Sequence, residues 1–369
     1  MASTVGIKMD FQQVVPLKNI ESALASVLDD LQGKNKTRAC LFNLLIYSKE
    51  NTREKYIQTI IQKIVQRFPC RILLFINKGP EHKEIQSTIS VIEISQGGSQ
   101  VFCDCIQFDL SSNDLKQISF LTLPHLMPDL PTFSLWAEDP SKDDPYLLHF
   151  ETFCSRMIFD SEVSDSLVSF SKNLLKYQVM TGINLADLNW ARTESFRDLF
   201  SSLFFSGRNT KKLDLLNHLA ITYNQVPSTF FCHTKIQAIY IALWIASKLQ
   251  LTLKSSSNDT LIFNNKEREV KINLIAGSHP DVTAGRILVI ELDLENSEHY
   301  LFKRKDKKPN TVVIYRTEKD ICEIPSEFLL DAEDSGASLV GEVFHHQTSP
   351  SFLKVLNMIA HQQIEDFCT

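Results

Sequence analysis

The stretch that decides the fold is residues 39–77, ACLFNLLIYSKENTREKYIQTIIQKIVQRFPCRILLFIN. It opens with ACLFNLLIY (39–47), a continuous apolar run of strand length. In residues 51–68, Ile57, Ile60, Ile61, Ile64, Val65 and Phe68 recur at i, i+3, i+4, i+7 spacing, which marks one stripe of a helix. Pro69 opposes continuation of that helix, and CRILLFIN (70–77) is a second apolar run. Strand, amphipathic helix, strand makes a βαβ unit. Strands that are apolar on both faces belong to a parallel sheet with both faces covered.

Upstream, Ile20, Leu24, Val27, Leu28 and Leu31 share one helical face, and Gly33 is a stop signal. Downstream, SVIEIS (90–95) and QVFCDCIQFDL (100–110) flank Gln96-Gly97-Gly98-Ser99, which predicts a hairpin. Residues 112–126 read as helical, 131–137 as a buried strand, 155–160 as a short strand and 163–180 as a helix. Residues 187–205, DLNWARTESFRDLFSSLFF, read as a cap leading into a helix, and SGRNTKK (206–212) as a hinge. Beyond it come LDLLNHLAITY (213–223) and an apolar helix within 231–251. Candidate strands follow at 260–264, 268–275, 286–294, 299–304 and 311–316, and a helix at 350–367. The chain's 369 residues exceed the ~250 at which single cores stop growing. The expected fold class is therefore α/β in two parts. Residues 1–206 form an N-terminal Rossmann-like mixed sheet with flanking helices, and residues 207–369 a smaller α+β domain.

A formal net charge of -6 carries no basic footprint, so neither nucleic acid nor a membrane surface is an expected partner. The most apolar stretch, 236–246, is far short of the ~20 residues that span a bilayer. No signal-peptide pattern opens the chain. The triplets Asn35-Lys36-Thr37 and Asn258-Asp259-Thr260 then read as chance. Eight scattered cysteines, several inside apolar runs, read as reduced thiols of a cytoplasmic protein rather than as a disulfide framework.

Motifs that carry chemistry are missing. A nucleotide pyrophosphate needs close backbone approach after the first strand, yet no glycine lies between Tyr47 and the following helix and no phosphate-cradle motif occurs. No nucleophile motif is present. Cys103-Asp104-Cys105 lacks the second ligand pair of a structural zinc site, and His345-His346 lacks helical spacing. The pairs Asp29-Asp30, Asp143-Asp144 and Glu333-Asp334 sit in polar surroundings, where solvated surface is the default. The run KRKDKKP (303–309) reads as a solvated hairpin tip. No catalytic residue, metal or cofactor is expected.

Two places stand apart. One is Met127-Pro128-Asp129-Leu130-Pro131, leading a strand that ends in Trp136. The other is Asp187-Leu188-Asn189-Trp190-Ala191-Arg192, with Arg197 a turn and a half later. Trp and Arg are over-represented in binding hot spots. The competing explanations are helix capping by Asp187 or Asn189, a core role for Trp190, and ordinary ion pairing of Arg192 and Arg197.

These residues carry a family resemblance. DLNWAR (187–192) with Phe196-Arg197-Asp198 is similar to the most distinctive stretch of the OpcA family of glucose-6-phosphate dehydrogenase assembly proteins. LFNLLIY (41–47), FPCR (68–71), PDLPTFSLW (128–136) and RMIFDS (156–161) occur in the family's order, and IALWIASKLQL (241–251) resembles the start of its second domain. The resemblance implies a non-catalytic accessory protein that promotes assembly or allosteric activation of glucose-6-phosphate dehydrogenase in the oxidative pentose phosphate pathway. Asp187, Asn189, Trp190, Arg192 and Arg197 are then the expected partner contacts, with Asp129 and Trp136 as a second group. The rival expectation is an enzyme acting on a phosphorylated sugar or its lactone, with arginines as phosphate ligands.

Overall fold

The structure is a computed structural model that describes residues 9–361 apart from 33–36, 51–52, 97–98, 115–116, 143–145, 206–210, 258, 266–267, 320, 331–340 and 342–346. Gly33, the triplet Asn35-Lys36-Thr37 in large part, Gly97-Gly98, Asp143-Asp144, most of the 206–212 hinge, Asn258, Glu333-Asp334, His345-His346 and Cys368 lie outside the described residues. The chain divides into two compact units.

The first unit comprises 1–160, 181–186 and 335–347. Its strands are β1 (Met9–Val15), β2 (Thr37–Arg38), β3 (Asn43–Lys49), β4 (Arg71–Asn77), β5 (Gln86–Gln96), β6 (Ser99–Leu110), β7 (Thr132–Trp136), β8 (Arg156–Phe159) and β9 (Asn184–Asp187). Its helices are α1 (Ile20–Gln32), α2 (Glu54–Arg67), α3 (Ile118–Thr122) and α4 (Tyr146–Glu151). The predicted βαβ unit is β3–α2–β4. The two strands pair in parallel from Asn43↔Arg71 to Lys49↔Asn77, and six consecutive residues of β3 are buried. Ile57, Ile60, Ile61, Ile64 and Val65 are the buried stripe of α2, and the helix stops at Arg67, two residues before Pro69.

The strand order is β1-β5-β6-β4-β3-β7-β8-β9. From β3 the chain runs outward through β4 to β6, then returns to the other side of β3 as β7 and continues to β8. The β3–β4, β4–β6, β3–β7 and β7–β8 pairs are all parallel. This is a doubly wound sheet whose switch point lies between β3 and β7. The predicted hairpin β5–β6 pairs antiparallel, and β1 pairs antiparallel with β5.

A buried charge cluster locks the beginning of β4. Asp104 of β6 is fully buried and accepts from Arg71 Nε at 2.5 Å and Arg38 Nε at 3.1 Å. Arg71 also donates to the carbonyl of His125 at 2.8 Å and to Glu21 Oε1 at 3.3 Å. His125 Nδ1 lies 2.6 Å from the same Glu21 oxygen. Burial pushes the Glu21 carboxyl up, but the His125 hydrogen bond and the Arg71 charge outweigh it and hold it below its ordinary value.

The second unit takes 161–180, 187–334 and 348–369. This partition differs from a cut at 206/207, because the helices before residue 206 build this unit's core. They are α5 (Leu167–Thr181), α6 (Leu188–Arg192) and α7 (Glu194–Phe204). The predicted apolar helix is α8 (Ile236–Lys248), buried on every side from Ile236 to Ala246, and α9 (Pro350–His361) packs against it. Its nine-stranded sheet has as many strands as the first. They are β10 (Leu216–Asn224), β11 (Thr252–Ser257), β12 (Thr260–Asn265), β13 (Arg268–Gly277), β14 (Ile287–Leu294), β15 (Glu298–Lys305), β16 (Lys308–Glu318), β17 (Ile321–Cys322) and β18 (Ser326–Leu329). The order is β11-β12-β13-β10-β14-β15-β16-β17, with β18 also on β16. Only β10–β13 is parallel, which the α8 crossover permits. The 303–309 run turns between β15 and β16, but Arg304 points inward, donating to the Ile287 and Pro309 carbonyls at 2.6 Å each.

Removing one partner of a buried ion pair strands the other charge, at a cost of about 3–5 kcal/mol. Asp104→Ala is expected to lose that much in urea unfolding, and a loss below about 1 kcal/mol would contradict the cluster's role. Glu21 titrates lower when folded, so its contribution is present above the ordinary carboxylate range and is lost as pH falls through the lowered value. Melting temperature should fall on acidification below about pH 4.5, and Glu21→Gln should flatten part of that fall.

Candidate functional site

The segment DLNWAR folds into a buried polar knot. Asp187 sits in extended backbone and caps α6, its carboxylate accepting the Trp190 N–H at 3.0 Å. The same carboxylate takes the Ser161 N–H at 2.6 Å and the Ser161 hydroxyl at 3.0 Å. Asn189 is the hub of a second set. Its amide donates to Ser161 Oγ at 3.0 Å and to Glu162 Oε2 at 3.3 Å, and its oxygen accepts from Arg192 at 2.8 Å and Gln237 at 3.3 Å. Glu162 also receives the His233 N–H at 2.6 Å.

Trp190 is 2% exposed, with Phe352 at 5.4 Å and Tyr240 at 6.0 Å between ring centroids. The Arg197 guanidinium covers it at 3.8 Å, held there by Thr193 Oγ1 at 3.0 Å and the Trp190 carbonyl at 3.4 Å. Arg192 is buried over the Phe231 ring, and its carbonyl accepts from Arg286 at 3.4 Å. Asp187, Asn189, Trp190 and Arg192 thus face inward, and only Arg197 of this group is partly exposed. The capping and core explanations describe them. Ser161 closes the RMIFDS stretch that carried the resemblance, but Glu162, Gln237 and Arg286 carry no signal in the sequence, since each is an ordinary residue far along the chain. A buried acid such as Glu162 reveals itself only through its contacts.

The second group splits. Trp136 is fully buried, stacked on Tyr47 at 4.3 Å, and its indole nitrogen meets no acceptor among the described residues. Asp129 is exposed and adopts a left-handed φ of 63°, a conformation that Asp tolerates better than most residues. Buried Asn43 fastens the loop that carries it. Its oxygen accepts the Met127 N–H at 2.8 Å, and its amide donates to the Met127 carbonyl at 3.1 Å. The segment leading into the loop leaves Phe120 and Leu123 78% and 61% exposed.

In a doubly wound sheet, ligands gather at the carboxyl ends of the strands beside the switch point. Here two of the groups at that place are engaged by this chain's own carboxylates. The Lys49 N–H, ending β3, donates to Glu138 Oε1 at 2.8 Å, and Arg53, before α2, pairs with Asp160 at 2.5 Å. No group of three or more His, Cys, Asp or Glu with metal-binding geometry occurs among the described residues. Burial pushes the thiols of Cys105 and Cys154 up to about 12, and Cys70 and Cys103 also well above their ordinary value. Cys232 and Cys322 are exposed. No helix among the described residues is long and apolar enough to cross a membrane.

Two family models cover most of the chain. One, described as the N-terminal domain of a glucose-6-phosphate dehydrogenase subunit, matches residues 61–175. The other, described as the C-terminal domain of the same subunit, matches residues 183–328. The chain belongs to the OpcA family. Its second matched domain starts at residue 183, just ahead of the DLNWAR knot. A curated relative, "Putative OxPP cycle protein OpcA" from Nostoc punctiforme, is 23% identical over 256 residues. That match covers 65% of this chain and 52% of the relative, so the chain spans about half of the relative's length. Among solved structures, the probable oxidoreductase yhhX is similar at TM-score 0.46 and 9% identity, covering 88% of this chain and 98% of that one. The transcriptional regulator Gal80p from Kluyveromyces lactis is similar at TM-score 0.47 and 9% identity, covering 92% and 98%. Neither likeness is strong enough to carry a functional reading.

If Trp190 is core, Trp190→Ala should cost about 3–5 kcal/mol in unfolding experiments. A loss under about 1 kcal/mol, with a normal fold, would instead place it in a surface contact.

Proposed function

We propose that this protein is a non-catalytic accessory factor that binds glucose-6-phosphate dehydrogenase and favours its active assembly or conformation in the oxidative pentose phosphate pathway. The match of both OpcA-family domains carries the reading. The non-catalytic part draws support from the switch point, where the Lys49 N–H and the Arg53 guanidinium are engaged by this chain's own carboxylates. The arginines that a sugar-phosphate enzyme would use as ligands are committed as well. Arg71, Arg192, Arg286 and Arg304 are each buried and bonded within the fold. A protein of this kind belongs in the cytoplasm with its partner.

Such a factor works only by binding the active state more tightly than the inactive one. A coupling of about 1–3 kcal/mol shifts that equilibrium roughly 5- to 150-fold. Of the seven residues predicted to touch the partner, Asp129 and Arg197 reach the surface. We place the accessible contact at Asp129 on its clamped loop with Phe120 and Leu123, and we assign Asp187, Asn189, Trp190, Arg192 and Trp136 to holding the fold that presents it.

NADPH formation by the purified dehydrogenase should rise at least several-fold on adding the purified chain, while the chain alone turns over neither glucose 6-phosphate nor its lactone. Asp129→Ala combined with Phe120→Ser should weaken activation about 10-fold or more without lowering the melting temperature. Turnover by the chain alone would contradict the reading, and full activation by that variant would contradict the surface.

A further inference from the structure

One face of the second unit's sheet is taken by helices. Phe302 and Tyr300 of β15 meet Phe200 and Phe204 of α7 at 5.8 and 5.0 Å between ring centroids, and Arg304 lies over Phe196 at 5.1 Å. Alternate residues of a strand point the other way, and the register sets them in rows. One row runs Asn273, Ala220, Glu291, Leu301, Tyr315 across β13, β10, β14, β15 and β16. The next runs Ile275, Thr222, Val289, Lys303, Val313. Ile275 is 44% and Tyr315 42% exposed and Lys303 is exposed too, while Ala220 and Val313 of the same rows are buried, so among the described residues this face is open in part.

The face has three properties that suit a partner sheet. Its middle is apolar, through Ile275, Val289, Leu301 and Tyr315. Its polar border is held rigid: Asp293 joins His218 at 3.0 Å and His299 at 2.7 Å, and the Asn273 amide braces His218 at 3.0 Å. Side chains already fixed lose little entropy on binding. Its charges are also sorted by strand. The outward residues of β14 include Glu291 and Asp293, while those of neighbouring β15 include His299, Lys303 and Lys305. Of these, His299 pairs with Asp293 and Lys305 with Glu327 of β18, leaving Glu291 and Lys303 as the charges free to meet a partner. Neither Glu291 nor Lys303 has an ion-pair partner among the described residues.

We propose that this open face is where a second copy of the chain binds, sheet on sheet. A twofold axis lying between the two sheets, along the strands and midway between β14 and β15, lays β14 of each copy over β15 of the other. The acidic strand then meets the basic one twice, and Glu291 of one copy comes within reach of Lys303 of the other. An axis across the strands would set acid on acid. About that axis six strand positions of each copy overlap, β13, β10, β14, β15, β16 and β17, and at ~4.8 Å spacing with about six residues in register they give a contact patch of roughly 24 by 20 Å. The inference stands apart from the dehydrogenase reading, since it needs no other protein.

Sedimentation velocity on the full chain tests it by charge exchange. The wild type sediments as a dimer. Glu291→Lys alone and Lys303→Glu alone each place like charges in contact twice, and each weakens self-association at least 10-fold. An equimolar mixture of the two variants restores the dimer, because both of its β14–β15 contacts are again of opposite sign. That restoration also certifies that the variants are folded. A monomeric wild type, single variants that remain dimeric, or a mixture that stays monomeric would each overturn the proposal.

Discussion

The Asp187 carboxylate is the constraint on which the second unit turns. It has no exposed surface, yet it receives three hydrogen bonds, from the Ser161 N–H, the Ser161 hydroxyl and the Trp190 N–H. A buried carboxylate without such donors would cost several kcal/mol, so its position dictates where Ser161 and α6 stand. Asn189 next turns toward Ser161 and Glu162, Arg192 toward Asn189, and Trp190 toward Tyr240 and Phe352 under Arg197. The chemistry of D-x-N-W-x-R is explained residue by residue by internal satisfaction. A distinctive motif of Trp and Arg can therefore mark a fold's keystone as readily as a binding surface.

The first unit shows similar internal pairing at its switch point. Its β3–β7 switch point has the topology at which α/β sheets bind ligands, but topology supplies only a place. At that place Glu138 accepts from the Lys49 N–H and Asp160 pairs with Arg53. The buried thiols tell a related story, since Cys105 and Cys154 are held near 12 by burial and stay protonated at neutral pH.

The βαβ unit was readable because strands buried on both faces leave continuous apolar runs, as β3 and β4 do with nearly every residue buried. The hairpin, β7, β8 and strands β12 to β16 of the second sheet were readable for the same reason or from alternation, whereas the central strand β10 was not assigned as a strand. Strand β1, TLKSSS of β11 and the short β2, β17 and β18 were not. They lie at sheet margins, carry polar residues on both faces or run only two to four residues, and leave little hydrophobic period. The cap role of Asp187 is local and could be anticipated. The contacts of Asn189 with Glu162 and Gln237 join residues 27 and 48 positions apart, and nothing in local pattern reports them. For the same reason the compact units divide elsewhere than a polar break at 206–212 suggests.

On the proposed reading, this chain acts by holding another protein. Sedimentation of the purified chain mixed with purified glucose-6-phosphate dehydrogenase tests that most directly, with both components followed in one run. The expected result is a faster boundary that contains both proteins and grows with the amount of chain added. Two boundaries that keep their separate sedimentation rates at every ratio, with the dehydrogenase's own assembly unaltered, would contradict it.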